Sequence, residues 1–417
     1  MAVEQAKPLD GTPVQKGIED SGKRKASGSV NPVVATSRVV YEATNLVRID
    51  DEGVKDAARL IYQKLLAEAY TPRTWRTHSL HILPPEPYDE NNPQTKQVLD
   101  WIFLISALNF SFWSELEGTP ERYGVEWRTG WGSEAAAVHT GYWSLVAALN
   151  RAIEEDIPIT DPCFYASEKK CPDSLLTHVF RPAAICKETI PLLLERISVM
   201  REVGIILTNS FGGSFQGFLR EFHRRYDGQG SAIDLVKMVV ETFPCFKDES
   251  LFHSTKVHLW KRPQILVAET WAAFFPLSPS DPHPIFPGAR GPQISELTMF
   301  ADYRVPQILH HLRILSYPDS LVEKLQAGVL LPSGCREELS LRTSSIIAVE
   351  RVQEEILALI VADDPDGCSD LSSSVSSVLI DFFLWDLAKR VESGEEEING
   401  IETHDMVPIH RTRSIWY

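Results

Sequence analysis

The stretch EELSLRTSSIIAVERVQEEILALIV, residues 337–361, decides the fold class of this chain. Its apolar residues return every three or four positions, which is the period of an α-helix and not of a strand. We therefore predict one long helix here. No regular alternation of strands and helices flanks this stretch, so nothing indicates a Rossmann-type sheet.

The helical period continues on both sides of this stretch. Short extended pieces are predicted only around Trp127 and at residues 257–260 and 415–417. The predicted fold class is therefore mainly α, a single large helical domain with few short strands. The other predicted helices cover residues 54–69, 98–108, 142–153, 192–208, 214–226, 232–243, 263–274, 306–315 and 375–391.

A tail and three loops complete this organisation. Residues 1–31 are polar and charged, and we expect them to form a disordered tail. Residues 32–417 form the predicted domain. Inserted loops are expected near 118–138, 276–292 and 363–377, where Gly, Pro, Ser or Asp are frequent and no period holds.

The composition limits the class of ligand. The chain has 417 residues, and 43% of them are hydrophobic, which is enough for a large core. Its formal net charge of −16 argues against stable binding of long nucleic acid, because such proteins usually present a basic face. A mononucleotide needs only one or two cations and stays compatible with this charge.

The cysteines indicate a reducing compartment. The six cysteines show neither CxxC spacing nor the Cys/His spacing of a zinc site. We therefore expect free thiols, no metal and no cofactor, in a protein of the cytosol, with the nucleus as a second expected location. The longest apolar run is too short to cross a bilayer, so no membrane partner is expected. The sequence leaves the oligomeric state open.

The densest cluster of reactive side chains is LTMFADYRVPQ, residues 297–307. Asp302 precedes a helix that Pro306 can open within its first turn, and a helix N-terminus stabilises negative charge. A catalytic carboxylate is one interpretation of this pattern. Simple capping of the helix is the alternative, since Asp is a common capping residue.

Two further segments combine aromatic and polar residues. Asp381 and Asp386 bracket the apolar run of DFFLWD, residues 381–386. An unpaired buried carboxylate is costly, so these acids either face solvent on an amphipathic helix or bind a ligand that offers donors. LNFSFW, residues 108–113, fits either a base-stacking surface or the core.

Candidate phosphate-binding groups lie in three places. Lys261 and Arg262 stand at the start of a predicted helix, and Arg304 follows Asp302. The Gly212-Gly213 turn precedes another helix, whose backbone N–H groups are suited to a phosphate. An exposed helix start and a glycine cap are the alternatives, and the sequence does not rank the candidates.

Taken together and in this order, these segments resemble the queuosine 5′-phosphate N-glycosylases of queuosine salvage. LTMFADYRVPQ followed by DFFLWD is the most specific part of the resemblance, which extends from about Pro32 to the end of the chain. The other matching stretches are LNFSFW (108–113), GYWSL (141–145), NRA and IPIT (150–160), FGGSF (211–215), ILVAETW (265–271) and HRTRSIWY (410–417).

The resemblance implies a helical fold similar to that of DNA glycosylases, without a metal. It also implies the hydrolysis of queuosine 5′-monophosphate, which releases queuine, with Asp302 as the catalytic carboxylate. Queuosine 5′-monophosphate would then be a small-molecule partner. The implied base-binding residues are His81 (with His78 as a second match), Phe300, Asp302, Asp381, Phe382 and Asp386.

Two positions depart from the pattern of the family. Phe382 stands where relatives carry Tyr, so a hydroxyl contact is lost, and Glu269 stands where some relatives carry Asp. Neither change removes the residues on which the chemistry depends. The three inserted loops fall outside the motifs, so we expect the core of the site to survive.

The residue types suit this reaction. Cleavage of an N-ribosyl bond passes through an oxocarbenium-like sugar, which a carboxylate such as Asp302 stabilises or attacks. The leaving base is a 7-deazaguanine, which has no N7 to protonate. Its ring N–H groups and its cationic amine are donors, and Asp381 and Asp386 are acceptors that match them.

Two rival functions remain compatible with these residues. A glycosylase that acts on a nucleoside, or on a base within nucleic acid, would share the mechanism, and the latter would show strongly salt-dependent binding. A non-catalytic helical scaffold would use the same acids as helix caps and the same aromatic residues as core.

Overall fold

The computed structural model describes residues 31–278, 280–364 and 375–417 of the chain. Helices dominate this part, which confirms the predicted fold class. Their bounds are α1 Pro32–Thr44, α2 Asp51–Ala67, α3 Pro93–Leu108, α4 Tyr142–Glu154, α5 Pro162–Tyr165, α6 Asp173–Val179, α7 Leu193–Ser210, α8 Phe215–Arg225, α9 Ala232–Thr242, α10 Lys261–Ala273, α11 Arg304–His311, α12 Asp319–Gln326, α13 Arg336–Asp363 and α14 Ser377–Ser393.

The strands are short and pair locally. In the described residues they make three antiparallel two-stranded ribbons and no larger sheet. One pair, β1 with β6, joins distant parts of the chain, and the other two are hairpins. The strands are β1 Arg48–Ile49, β2 Gly124–Arg128, β3 Ala136–Thr140, β4 Glu249–Phe252, β5 Thr255–His258 and β6 Leu315–Ser316.

Two helices form the centre of the core because they are buried on all sides. Every residue of α3 from Val98 to Leu108 is buried, and so is every residue of α10. A helix that is buried on every face must have neighbours on every face. The two helices contact each other, and α13 packs against α1, α2 and α14. The C-terminal end of α3 and the N-terminal end of α10 are thereby held together.

All the helices predicted from periodicity are present, and their ends differ by a few residues. The helix predicted at 98–108 begins five residues earlier, at Pro93. The one predicted at 306–315 begins at Arg304 and ends at His311, and Leu315 lies in β6. Helix α1 was not predicted, although Asn31 caps it by accepting from the backbone N–H of Val33, with Pro32 following.

The predicted loops need one correction. Residues 118–138 are not only a loop, because they contain β2 and the first half of β3. Residues 276–292 contain neither helix nor strand among those described. Of 363–377, residues 365–374 lie outside the described part, as do residues 1–30 of the expected tail. Residues 415–417 form no strand, so that prediction was wrong.

In the part of the chain that the structure describes, no helix is both long enough and apolar enough to cross a membrane.

Candidate active site

One cavity of about 200 Å³ opens where α10, α14 and the segment before α11 meet. All the site residues predicted from the sequence line it, with the exceptions of Arg262 and the Gly212-Gly213 turn. The tertiary structure therefore brings together groups that are far apart in the chain. They are His81, Lys261, Phe300, Asp302, Arg304, Asp381, Phe382 and Asp386.

Asp302 lies in the cavity wall immediately before α11. Its Oδ1 accepts hydrogen bonds from the backbone N–H groups of Arg304, at 2.7 Å, and of Val305, at 2.9 Å. These donors belong to the first turn of the helix, so the capping role that the sequence left open is present. The helix N-terminus also stabilises the negative charge of a carboxylate. Capping and a place in the cavity are compatible.

Lys261 is the first residue of α10 and is buried. Its Nζ donates to the backbone oxygen of Asn109 at 3.2 Å and to Oδ1 of the same residue at 3.1 Å. Burial lowers the pKa of Lys261 to about 8, and the nearby carboxylate of Asp302 opposes this shift. The cavity therefore contains a cation close to Asp302 that is only partly solvated.

Asp381 projects from α14 and is almost fully buried. Its Oδ1 accepts a 2.8 Å hydrogen bond from the backbone N–H of Phe300. Burial raises the pKa of Asp381 well above its ordinary value, and the carboxylate of Asp302 adds to the shift. The protonated form is thereby favoured, and a ligand that donates a hydrogen bond or carries positive charge would restore the ionised form.

Asp386 lies further along α14 on the same side of the cavity. Its Oδ2 accepts a 2.7 Å hydrogen bond from the hydroxyl of Tyr70. Burial raises the pKa of Asp386, although the Tyr70 hydroxyl and the Arg390 guanidinium oppose the shift. The ring of Phe382, between the two acids in sequence, lies 5.9 Å from the ring of Phe300.

His81 belongs to an aromatic wall of the cavity. Its ring stacks on Trp75 with 4.1 Å between centroids, and its Nδ1 lies 2.7 Å from the Trp75 carbonyl oxygen. A carbonyl oxygen only accepts, so Nδ1 carries the proton and Nε2 is left as an acceptor. Burial lowers the pKa of His81 to about 3, so the ring is neutral. His78, the second sequence match, also lines the cavity and stacks on Trp143 at 3.6 Å.

Glu269 is a cavity residue that sequence reasoning did not select as part of the site. It accepts a 3.2 Å hydrogen bond from the hydroxyl of Tyr142. Burial raises the pKa of Glu269 to about 7, and the Tyr142 hydroxyl and Lys261 oppose the shift. Lys261 and Glu269 are eight positions apart on one helix, which places them on the same face, and that spacing was the available signal.

Three cations cluster at another part of the cavity. Nη1 of Arg304 donates to Glu392 at 2.8 Å, and Nζ of Lys389 donates to the other oxygen of that carboxylate at 3.0 Å. Arg122, which pairs with Glu117, is the third. Neither Arg122 nor Lys389 was selected from the sequence. Arg122 precedes β2 within a segment that was predicted to be a loop without a role.

The phosphate role predicted for Arg262 is contradicted by its position. The side chain is fully buried outside the cavity and donates to the carbonyl oxygens of Ala107 and Cys245. Adjacent helical residues point about 100° apart, so Lys261 faces the cavity and Arg262 faces the core.

The Gly212-Gly213 turn is also outside the cavity. The N-terminus of α8 that follows it is already occupied by a carboxylate, because Oδ1 of Asp100 accepts from the Phe215 N–H at 2.7 Å and from the Ser214 hydroxyl at 2.8 Å. LNFSFW divides between the two interpretations given to it. Asn109, Phe112 and Trp113 line the cavity, and Phe110 is core.

Known proteins are similar in sequence to most of this chain. The family model for the queuosine salvage protein matches residues 88–417. A relative from Schizosaccharomyces pombe, called queuosine 5′-phosphate N-glycosylase/hydrolase, is 36% identical over 91% of this chain and 100% of its own. Relatives with the same name from Mus musculus and Sphaerobacter thermophilus are 36% and 31% identical, each over 92% of this chain and 97% of theirs. The chain belongs to the queuosine salvage protein family.

Proposed function

We propose that this protein hydrolyses the N-glycosidic bond of queuosine 5′-monophosphate, which yields queuine and ribose 5-phosphate. Relatives that match nearly the whole chain carry the name of this activity. The observation that carries the proposal is the convergence of Asp302, Asp381 and Asp386 with Lys261 in one cavity. Three carboxylates are the acceptors that a cationic, donor-rich base and a developing sugar cation require.

Asp302 is the residue we assign to the sugar. The C1′–N9 bond breaks with its electron pair moving to the base, and positive charge develops on the ring oxygen and C1′. A carboxylate beside C1′ stabilises that charge or adds to C1′, and water then supplies the hydroxyl of ribose 5-phosphate and the proton of the base. Because Oδ1 is already bonded to two backbone N–H groups, the carboxylate is oriented before substrate arrives.

Asp381 and Asp386 are the residues we assign to the base and its amine arm. Both have pKa values raised by burial, so ionisation is costly until a donor arrives. Ring N–H groups and a cationic amine would supply the missing donors, and a base that lacks them would bind less well. Phe300 and Phe382 are suited to cover the faces of the ring, and the neutral His81 adds an acceptor.

The cluster of Arg122, Arg304 and Lys389 is the place we assign to the 5′-phosphate. These three cations are balanced by two carboxylates, Glu117 and Glu392, which leaves one positive charge in excess. A phosphate would compete for the same donors, and guanidinium groups bind phosphate through paired hydrogen bonds. Arg262, which was a candidate in the sequence, has no place in this assignment.

The experiment is to incubate the protein with queuosine 5′-monophosphate and to detect queuine by mass spectrometry. The same incubation is run with the nucleoside queuosine and with an oligonucleotide that contains queuosine, because a glycosylase for either would share the mechanism. We expect queuine from the monophosphate at the highest rate, and release about 1000-fold slower with Asp302→Asn. Release only from the oligonucleotide, or no release by the folded protein, would refute the proposal.

We also propose that the protein works in the cytosol, with the nucleus as a second location. The support is chemical, since the cysteines in the described part of the chain are free thiols, which suit a reducing compartment. Fluorescence microscopy of the tagged full chain tests this, and a signal confined to a secretory compartment would contradict it.

A further inference from the structure

A buried ion pair lies behind the cavity and does not line it. Arg342 of α13 is 1% exposed, and Asp248, just before β4, is 2% exposed. The guanidinium donates to both oxygens of the carboxylate, from Nη1 to Oδ1 at 3.2 Å and from Nη2 to Oδ2 at 2.5 Å. This bidentate geometry fixes both the orientation of the two side chains and the distance between them.

Arg342 is hydrogen-bonded to the residue that precedes Asp302. Nε of Arg342 donates to the backbone oxygen of Ala301 at 2.8 Å. The peptide that carries this oxygen is the one that joins Ala301 to Asp302. The position of this peptide therefore sets the position of the Asp302 backbone, from which the carboxylate side chain extends.

Asp248 is hydrogen-bonded to Lys261. Oδ2 of Asp248 accepts from the backbone N–H of Lys261 at 3.3 Å, and the backbone oxygen of Asp248 accepts from Leu259 at 3.0 Å and from Trp260 at 3.2 Å. Trp260 has a positive φ of 46°, so the chain turns sharply here before α10 begins. Asp248 stabilises this turn and thereby fixes the backbone position from which the Lys261 side chain extends.

Stability alone does not explain such a pair. The desolvation of two buried charges costs about as much as their attraction returns, and apolar replacements of buried pairs are often as stable. A buried pair is more readily understood where it fixes one arrangement of the groups attached to it. Here those groups are Lys261 and Asp302, which are the buried ammonium and the carboxylate of the cavity.

We propose that Arg342 and Asp248 are positioning residues, which hold Lys261 and Asp302 at the separation that hydrolysis requires. This inference rests on the proposed function for its catalytic consequence, but the placement of the two groups can be measured without substrate. Neither residue of the pair lines the cavity, so any effect on turnover must pass through the residues that they contact. Besides Lys261 and the peptide before Asp302, these include Tyr417, whose ring lies 3.9 Å from the Arg342 guanidinium and lines the cavity.

Glu338 provides a matched control. It is fully buried, and it accepts from the same guanidinium, with 3.1 Å between Nη1 of Arg342 and Oε1. Its other oxygen accepts from the backbone N–H of Gly334 at 3.0 Å, and Glu338 is also hydrogen-bonded to Tyr417 of the cavity wall, so its replacement reports any effect that Tyr417 transmits. Glu338→Gln therefore disturbs the same arginine without breaking a link to Lys261.

The experiment compares Asp248→Asn, Arg342→Lys and Glu338→Gln. Arg342→Lys keeps the positive charge but loses the bidentate contact with Asp248. It can replace Asp248→Asn as the test if that variant does not fold. We expect kcat to fall about 100-fold in the first two variants, because a misplacement of about 1 Å has this effect, with KM changed little. Glu338→Gln is expected to keep the kcat of the unaltered protein.

The second readout is the pH dependence of Lys261 acetylation by trace acetic anhydride, quantified on its peptide by mass spectrometry. Asp302 and Asp381 raise the pKa of Lys261, and burial, Arg262 and Arg342 lower it. If Lys261 moves away from Asp302, the midpoint of the profile shifts to lower pH in Asp248→Asn and Arg342→Lys only.

Equal kcat and equal acetylation profiles in all three variants would overturn the positioning role. A shifted profile in a protein that releases no queuine from any substrate would support the positioning role and refute the proposed function.

Discussion

The hydroxyl of Tyr70 donates a 2.7 Å hydrogen bond to Oδ2 of Asp386, which joins the segment after α2 to the middle of α14 at the edge of the cavity. This contact orients an acid that the sequence placed only within an aromatic run. It also leaves the other oxygen of the carboxylate available to a ligand, since Oδ1 has no hydrogen bond to any described residue.

Asp386→Asn tests the recognition of the base. A hydrogen bond to a charged group contributes about 1.5–3 kcal/mol, so we expect KM for queuosine 5′-monophosphate to rise by about 10-fold or more. Tyr70→Phe removes only the orienting hydroxyl and should raise KM less. Steady-state rates of queuine release measure both variants. An unchanged KM in Asp386→Asn would mean that this acid does not contact the substrate.

Asp302→Asn separates catalysis from folding. The amide oxygen of Asn can still accept from the N–H groups of Arg304 and Val305, so we expect the melting temperature to change little. We expect kcat to fall by about 1000-fold, because the negative charge beside the sugar is lost. Asp50→Asn is the control, since Asp50 caps α2 through the N–H of Gly53 and lies outside the cavity. Comparable turnover in the two variants would remove Asp302 from the mechanism.

Arg122→Ala tests the assignment of the phosphate. We expect KM for queuosine 5′-monophosphate to rise about 10-fold, while the kinetics with the nucleoside queuosine stay the same, because only the nucleotide carries the phosphate. Arg128→Ala is a control from the same hairpin, whose side chain pairs with Glu154 at 2.6 Å outside the cavity. An equal loss with nucleotide and nucleoside would contradict the assignment.

Glu269 should make the stability of the protein depend on pH. Its pKa is about 7 in the folded protein, raised by burial from an ordinary value of 4.5. Between these values the folded state holds a proton that the unfolded state has lost, so the free energy of unfolding falls as pH rises. The fall attributable to Glu269 is up to about 3 kcal/mol, at about 1.4 kcal/mol per pH unit.

Denaturant titrations of the unaltered protein and of Glu269→Gln, at several pH values between about 4.5 and 7, measure this contribution. The Gln variant stays neutral, so its stability should fall less over that window. Lys261 has the opposite sign and a different window. Its pKa is lowered to about 8, so its contribution makes stability rise with pH above that value. Parallel curves for the two proteins would show that Glu269 does not titrate there.

The capping of α11 illustrates what local sequence can establish. An acid that is followed four positions later by a proline at the start of a helical run predicts a helix N-terminus with a carboxylate at it, and Asp302 has that geometry. The long helix of residues 337–361 was equally accessible, because a period of 3.6 residues is a property of neighbouring positions. Such features depend on contacts over a few residues, which a single sequence records directly.

The positively charged residues near the cavity illustrate what the local sequence does not determine. Lys261 and Arg262 are neighbours with similar chemistry, yet one faces the cavity and the other donates to carbonyl oxygens in the core. Arg122 and Lys389 belong to no motif that was recognised, and they meet Arg304 only because the segment before β2 and helix α14 both line the cavity. Nothing near these residues in sequence reports on that packing.

The sequence by itself determined the helical class of this protein, the cap at Asp302 and, through its motifs, the family to which the chain belongs. Each of these depends on spacing along the chain. Only the tertiary structure decided which cations reach the cavity, how Asp386 is oriented by Tyr70, and how Asp248 and Arg342 connect Lys261 to Ala301. Those relationships join residues that are distant in sequence, and the burial of their side chains, which fixes both their directions and their pKa values, exists only once the helices have packed.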